Sequence, residues 1–286
     1  MRPIAVLIFL YILLAVGCMQ TGNDHDTITT EPAIHITAAP ARIRPDTIRL
    51  IHIFVALCDN KYQGIVPVPA GIGNGQQPRS NLYWGAGYGI HTYFSRSKDW
   101  QVIGKSAYRI AAREDSVVLD HLLLRHRRQG VYLLAEAFDG RNMKETITEF
   151  LLAAAGQLPR VVKPAGQDSL YFGGQADLLA FVGHDGLMDF SLNQRFKGDT
   201  VNKRETIILA CYSKRFFGPH LQSTGAQPLL WTSGLMAPEA YTLHDAINAW
   251  VAQKPAVQVQ QAAAKAYSTY QHCSMQAAAR LLPTGW

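Results

Sequence analysis

Residues 177–186 read Asp-Leu-Leu-Ala-Phe-Val-Gly-His-Asp-Gly, and residues 206–211 read Thr-Ile-Ile-Leu-Ala-Cys. Each stretch contains a short apolar run, typical of a β-strand that is buried on both faces, and each ends on a reactive side chain. Open α/β sheets place their ligand sites at the carboxyl ends of the strands. If the two strands are neighbours, His184 and Cys211 meet at one edge of the sheet, which is the minimum for an activated cysteine nucleophile.

The rest of the chain alternates strand and helix candidates. Further strands are predicted at residues 48–57, 116–124, 130–137 and 228–231. Helices are predicted at residues 81–96, after Asn142, at 240–251 and across 255–282. This alternation predicts an α/β architecture with a mainly parallel sheet.

The composition is that of a globular protein. The chain has 286 residues, of which 48% are hydrophobic and 17% are charged, enough for one large domain or two small ones. The formal net charge is +6, but the basic residues are scattered along the sequence. A solvated surface explains them better than a nucleic-acid groove does, so no nucleic-acid partner is expected.

The first residues predict export rather than folded structure. A basic residue and a short apolar run over residues 1–17 are typical of a secretory signal peptide. The small residues before Cys18 resemble the lipobox of bacterial lipoproteins, in which the cysteine is acylated. An ordinary signal peptide with an incidental cysteine is the alternative. Residues 18–45 then form a lipidated cysteine and a flexible tether, followed by an α/β domain at 46–252 and a C-terminal helical extension at 253–286.

Three cysteines remain in the sequence after Cys18, namely Cys58, Cys211 and Cys273. At most one pair can form a disulfide, so at least one thiol stays free. One of the three is therefore a candidate for chemistry, although all three could instead be small buried hydrophobic residues.

The two strand-end motifs, Gly183-His184-Asp185-Gly186 and Ala210-Cys211-Tyr212-Ser213, resemble those of the caspase-like cysteine peptidases, which have the caspase–haemoglobinase fold. The resemblance implies a three-layer αβα sandwich with a Cys–His dyad. Cys211 would be the nucleophile and His184 the general base. Such a dyad requires the pKa of the Cys211 thiol to lie below its ordinary value.

Four further residues are candidates for supporting roles. Gly186 has no side chain, so its backbone could approach a substrate and donate to the oxyanion. Asp59 and Asn60 follow the first strand and could bind polar substrate groups, although ordinary turn chemistry explains them as well. His220 lies nine residues after Cys211 and could line the same cleft or cap a helix.

Other chemistries have weaker support. No His, Cys or Glu spacing matches a zinc motif, so no metal or other cofactor is expected. Ser233 lacks the Gly-x-Ser-x-Gly motif of serine hydrolases. The leading hypothesis is a lipid-anchored cysteine peptidase-like hydrolase of the bacterial cell envelope that acts on a peptide or protein substrate. A non-catalytic surface lipoprotein with a degenerate site and a thiol acyl-transfer enzyme are the alternatives.

Overall fold

The apolar runs of the sequence form the centre of a seven-stranded β-sheet. The computed structural model describes residues 47–110, 117–198 and 204–286, so the predicted signal peptide, Cys18 and the tether lie outside the described residues. The strands are β1 (Arg49–Ala56), β2 (Trp100–Ile103), β3 (Tyr108–Ile110), β4 (Val118–His126), β5 (Val131–Phe138), β6 (Pro159–Pro164), β7 (Leu170–Gly173), β8 (Leu178–Val182), β9 (Glu205–Leu209) and β10 (Gln227–Leu230). The helices are α1 (Ile90–Ser95), α2 (Met143–Ala154), α3 (Ser213–Thr224), α4 (Ala240–Val251), α5 (Ala256–Gln271) and α6 (Met275–Leu281).

The large sheet has the strand order β10-β9-β8-β1-β5-β4-β2. Neighbours from β10 to β5 are parallel, whereas β4 pairs antiparallel with both β5 and β2. The sheet is therefore mixed, and the prediction of a mainly parallel sheet is wrong. The physical reason is the short connection between β4 and β5, which spans only residues 127–130. A turn of this length can join only antiparallel strands.

Strand β1 lies in the middle of the sheet and is buried along almost its whole length. The run Leu-Ile-His-Ile-Phe-Val-Ala at residues 50–56 alternates its side chains between two hydrophobic cores. One core contains residues of α1, α4, α5 and α6, and the other contains residues of α2 and α3. Helices thus cover both faces of the sheet, an α/β arrangement compatible with an αβα sandwich.

The C-terminal helices pack as part of this α/β body. Val259, Ala263 and Ala264 of α5 are fully buried in the same core as Ile247 of α4. Residues 253–286 therefore supply one wall of the core, because the Ala-rich face of α5 permits close approach to its neighbours.

The helix predicted at residues 81–96 forms only over Ile90–Ser95. Asn81 does not cap this helix. Its side chain accepts from the amide of Cys58 at 3.1 Å and donates to the Cys58 carbonyl at 2.8 Å, which ties the segment to the end of β1. The segment then runs in turns, where Gly85 passes so close to Arg79 that a Cβ would lie 2.0 Å from the Arg79 carbonyl oxygen.

A second sheet, with the order β3-β6-β7, packs on the side of α2 and was not predicted from the sequence. A buried ionic cluster of His52, Glu136 and Arg160 joins the two sheets. His52 Nε2 lies 2.9 Å from Glu136, and Arg160 Nε donates to Glu136 at 2.9 Å. The amide of Gly173 in β7 donates to His52 Nδ1 at 3.2 Å, so Nε2 carries the imidazole proton and donates to Glu136.

The charge of Glu136 is maintained by its partners. Burial raises the pKa of the carboxyl, but the bonds from His52 and Arg160 and the Arg160 charge outweigh burial and lower the pKa to about 2. The contribution of Glu136 to stability is therefore present above pH 4.5 and is lost as the pH falls through 2.

We predict that Arg160→Met destabilises the protein by about 3–5 kcal/mol, because it leaves the Glu136 carboxylate buried without its cation. Urea unfolding at pH 7 measures the change. Arg195→Met is the matched control, since Arg195 is exposed, and it should change the free energy of unfolding by less than about 0.5 kcal/mol. Equal unfolding midpoints for the two variants would show that the cluster does not join the sheets.

Candidate active site

The ends of β8 and β9 bring His184 and Cys211 to one edge of the sheet. The two strands are adjacent and parallel, with Val182 paired to Leu209. His184 lies two residues after Val182, and Cys211 lies two residues after Leu209. The two residues therefore occupy equivalent positions at the carboxyl ends of neighbouring strands. The predicted adjacency of these strands is confirmed.

Both residues line one cavity of about 330 Å³. This volume lies at the lower end of the range for small-molecule sites. The walls come from the loop after β1, the β8 and β9 ends and the segment before α4. The lining residues are Gly64, Ile65, Val66, Val68, Tyr83, Gly183, His184, Met188, Cys211, Leu235, Met236 and Pro238.

Cys211 stands on a sharp turn between strand β9 and helix α3. The next residue, Tyr212, has φ 51°, the left-handed conformation that non-glycine residues rarely adopt. The side chain of Ser213 stabilises the turn, because its Oγ donates to the Ile208 carbonyl at 2.9 Å and lies 3.0 Å from Thr232 Oγ1. Such backbone strain between a strand and a helix is found where a nucleophile is presented at the top of a sheet.

The thiol of Cys211 is not activated in this conformation. Burial raises its pKa above the ordinary value, the bond to the Met236 carbonyl at 3.8 Å opposes this, and the nearby Asp185 raises it further. Among the described residues, the Cys211 sulfur makes no hydrogen bond to His184. The predicted lowering of the thiol pKa is therefore wrong for this conformation, because burial outweighs every favourable contact.

His184 is paired with a carboxylate that the sequence analysis missed. Its Nε2 lies 2.5 Å from Asp189 Oδ2, and the ring is only 9% exposed. When Nε2 donates its proton to a carboxylate, Nδ1 of the neutral ring keeps a lone pair and can accept a proton. The signal for Asp189 was its position five residues after His184, in the turn that leaves β8.

Asp185 follows His184 directly in the sequence and is completely buried. Its Oδ1 accepts from the Leu187 amide at 3.1 Å, and within the described part of the chain its Oδ2 has no hydrogen-bond partner. Burial raises the pKa of Asp185 to about 7. The residue is therefore protonated in mildly acidic solution and becomes a buried anion near Cys211 as the pH rises through 7.

We predict that Asp185→Asn accelerates alkylation of Cys211 above pH 7. The ionised carboxylate raises the thiol pKa, so removing it should increase the rate of iodoacetamide labelling of Cys211 at pH 8.5. At pH 5.5, where Asp185 is protonated, the two proteins should react at the same rate.

The same variant tests stability. An acid with a raised pKa in the folded state contributes stability below its unfolded pKa, near 4, and that contribution is lost as the pH rises through 7. Asp185→Asn should therefore melt a few degrees above the wild-type protein at pH 8.5. A variant that melts below the wild type at pH 8.5 would contradict the buried anion.

Gly186 does not line the cavity. It begins a 3₁₀ turn, Gly186–Met188, and its Cα faces Met143 and Phe190, where a Cβ would lie 2.4 Å from Met143 Cγ. The absence of a side chain serves packing at this position. The amide N–H of Cys211 donates to no carbonyl among the described residues.

Asp59 and Asn60 organise the loop after β1 and do not line the cavity. Asp59 Oδ1 accepts from the amides of Lys61 and Tyr62 at 2.8 and 3.1 Å. The Asn60 side chain donates to the Val68 carbonyl at 2.7 Å and accepts from its amide at 3.0 Å. Asn60 thus holds Val68, which is a wall residue of the cavity.

His220 lies in the second half of α3, away from the cavity. Its ring makes an edge contact with Phe196, and burial lowers its pKa. The structure therefore brings together only Cys211 and His184 of the residues predicted for the site, and it adds Asp189 and Tyr83.

Cys58 is a second thiol near this edge, since it follows strand β1 and contacts Tyr83 of the cavity wall. It is fully buried, and burial raises its pKa to about 11 although a hydrogen bond with Tyr83 lowers it. Its backbone is held by Asn81. These features are those of a packed residue and not of a nucleophile.

Comparisons with protein-family models, with curated proteins and with solved structures found no match to this chain. Among the described residues, no group of three or more His, Cys, Asp or Glu side chains is placed to hold a metal ion. In the same residues, no helix combines the length and apolar character needed to span a bilayer. The class that the fold and the site define is an α/β protein with a Cys–His pair in one cavity.

Proposed function

We propose that this protein is a cysteine peptidase-like hydrolase with a caspase-like fold, in which Cys211 is the nucleophile and His184 the general base. The observation that supports it best is the equivalent placement of the two residues beyond paired parallel strands, in one cavity. The left-handed backbone conformation of Tyr212 also supports the proposal, because such strain persists where the surrounding structure maintains a functional geometry.

In the proposed reaction, His184 Nδ1 takes the proton of the Cys211 thiol as the sulfur attacks the scissile carbonyl carbon. The new C–S bond places a negative charge on the carbonyl oxygen, which the amide of Cys211 stabilises. The C–N bond then breaks, and the amine leaves with the proton from His184. A water molecule, deprotonated by His184, hydrolyses the thioester and restores the thiol.

The raised pKa of Cys211 fits a resting state in which the thiol is neutral and gives its proton to His184 only as the sulfur attacks an electrophile. Catalytic hydrogen bonds are often long or misaligned without substrate and tighten in the complex. Helix α3 begins two residues after Cys211, and its N-terminal end favours the thiolate during the attack.

Asp189 is a positioning residue in this proposal. It accepts the Nε2 proton of His184 and so directs Nδ1 as the basic nitrogen. The arrangement follows the general rule that the base of a nucleophile is itself oriented by a third group.

We predict that His184 controls the reactivity of Cys211 near neutral pH. At pH 6.5, iodoacetamide should label Cys211 faster than Cys273, as read by peptide mass mapping, and His184→Ala should slow labelling of Cys211 about tenfold or more while leaving Cys273 unchanged. Asp189→Asn should give an intermediate rate and shift the pH profile, because it changes the orientation of the ring.

Hydrolysis provides the second readout of the same proposal. With a peptide or thioester substrate, Cys211→Ala and His184→Ala should lose nearly the same activity, because members of one catalytic unit act non-additively. Labelling of Cys211 that does not depend on His184 would overturn the proposal.

A non-catalytic binding lipoprotein is the second candidate, and one observation favours it. The thiol of Cys211 has a raised pKa and contacts the Met236 carbonyl instead of His184. Slow, pH-driven labelling of Cys211 with no contribution from His184 would select this candidate.

We propose that the protein is held in the bacterial cell envelope by acylation of Cys18, with the membrane as partner through that anchor. The support is the sequence alone, a basic residue and an apolar run before Cys18. Expressed in a bacterium, the chain should fractionate with membranes, and Cys18→Ser should release it or leave it unprocessed. An intact mass equal to the unmodified chain from Met1 would contradict the anchor.

A further inference from the structure

The cavity beside Cys211 has walls that are almost entirely apolar. Apart from His184 and Cys211, Tyr83 is the one residue with a polar side chain among the described residues that line it, and its ring is buried. The lining that the described part of the chain provides contains no Asp, Glu, Lys or Arg. Because burying an unpaired charge is costly, these walls disfavour the binding of a charged ligand or side chain.

The mouth of the same cavity carries exposed apolar side chains from three separate segments. Val66 is 87% exposed, Leu235 is 67% exposed and Met188 is 40% exposed. Large apolar side chains left in water around one cavity mark a ligand-binding surface better than scattered ones do. The three segments are distant in sequence, so the grouping is a property of the fold.

The walls are held in place before any ligand binds. Asn60 fixes Val68 through two hydrogen bonds, and Pro67 and Pro69 flank that residue and restrict its backbone. A second wall segment touches the nucleophile directly, since the Met236 carbonyl accepts from the Cys211 thiol. A side chain bound in this cavity would therefore lie beside the Cys211 sulfur.

We infer that this cavity is the specificity subsite of the enzyme and takes a large apolar side chain, such as that of leucine, methionine or phenylalanine, from the residue that carries the scissile carbonyl. The inference rests on the proposed function, and it names the substrate class as peptides cleaved after an uncharged apolar residue.

Asp189 is the acidic side chain that would favour a basic substrate residue instead, because it approaches the cavity at Gly64. A Cβ at Gly64 would lie 3.5 Å from Asp189 Oδ1, so this carboxylate reaches the cavity wall. Its other oxygen is bound to His184 Nε2, and orienting the base occupies it. A preference for arginine or lysine would show that Asp189 serves the substrate instead.

The test uses peptidyl chloromethyl ketones that differ only in the residue bearing the ketone. In each reaction the sulfur forms a thioether with the methylene carbon, chloride leaves and His184 takes the proton. The rate of Cys211 modification should be at least about tenfold higher with leucine than with aspartate or arginine at that residue. Equal rates, or a preference for a charged residue, would overturn the inference.

Leu235→Glu should shift the preference of the cavity from an apolar towards a basic residue. Leu235 is exposed, so the variant should fold normally. It should lower the rate with the leucine reagent and raise the rate with the arginine reagent, by severalfold each. Val257→Glu, at an exposed apolar residue of α5 outside the cavity, is the matched control and should change neither rate. Identical rates for Leu235→Glu and the wild type with both reagents would also overturn the inference.

Iodoacetamide labelling separates this inference from the proposed function. If labelling of Cys211 depends on His184 but the leucine reagent has no advantage, the hydrolase proposal stands and the subsite is wrong. If labelling does not depend on His184, the proposed function fails and the inference fails with it.

Discussion

The parallel pairing of β1, β8 and β9 is the constraint on which the rest of the molecule depends. In-register hydrogen bonds align Val55, Val182 and Leu209 across three strands. A slip of one residue would turn every side chain of a strand to the opposite face and exchange the contents of the two cores. The same register sets His184 and Cys211 side by side, so the folding constraint and the geometry of the site have one origin.

The central strands and the pairing of β8 with β9 were predictable from the sequence, because buried parallel strands read as uninterrupted apolar runs. The second sheet was not. Strand β6 begins and ends on proline and alternates more exposed with buried residues, and strand β7 has only four residues. The place of β6 is set by Arg160, which donates to Glu136 of the large sheet. A pairing between a residue of one sheet and a residue of the other has no local sequence pattern.

The candidate site was predictable only in part, for a similar reason. His184 and Cys211 end apolar strands, which is a local signal. Asp189 lies in an irregular turn, and its bond to His184 depends on how that turn folds back. The expected low thiol pKa was wrong because the sequence does not reveal how deeply Cys211 is covered by the segment around Met236. Gly186 looked like a substrate contact, but its missing side chain makes room for Met143.

The direction of β1 separates the start of the sheet from the candidate site. The strand starts at Arg49 and runs for eight residues to Ala56, a length of about 26 Å at 3.3 Å per residue. Because β1 runs parallel to β8 and β9, Arg49 lies at the end of the sheet opposite His184 and Cys211. Changes to the chain at that end are therefore separated from the cavity by the length of the central strands.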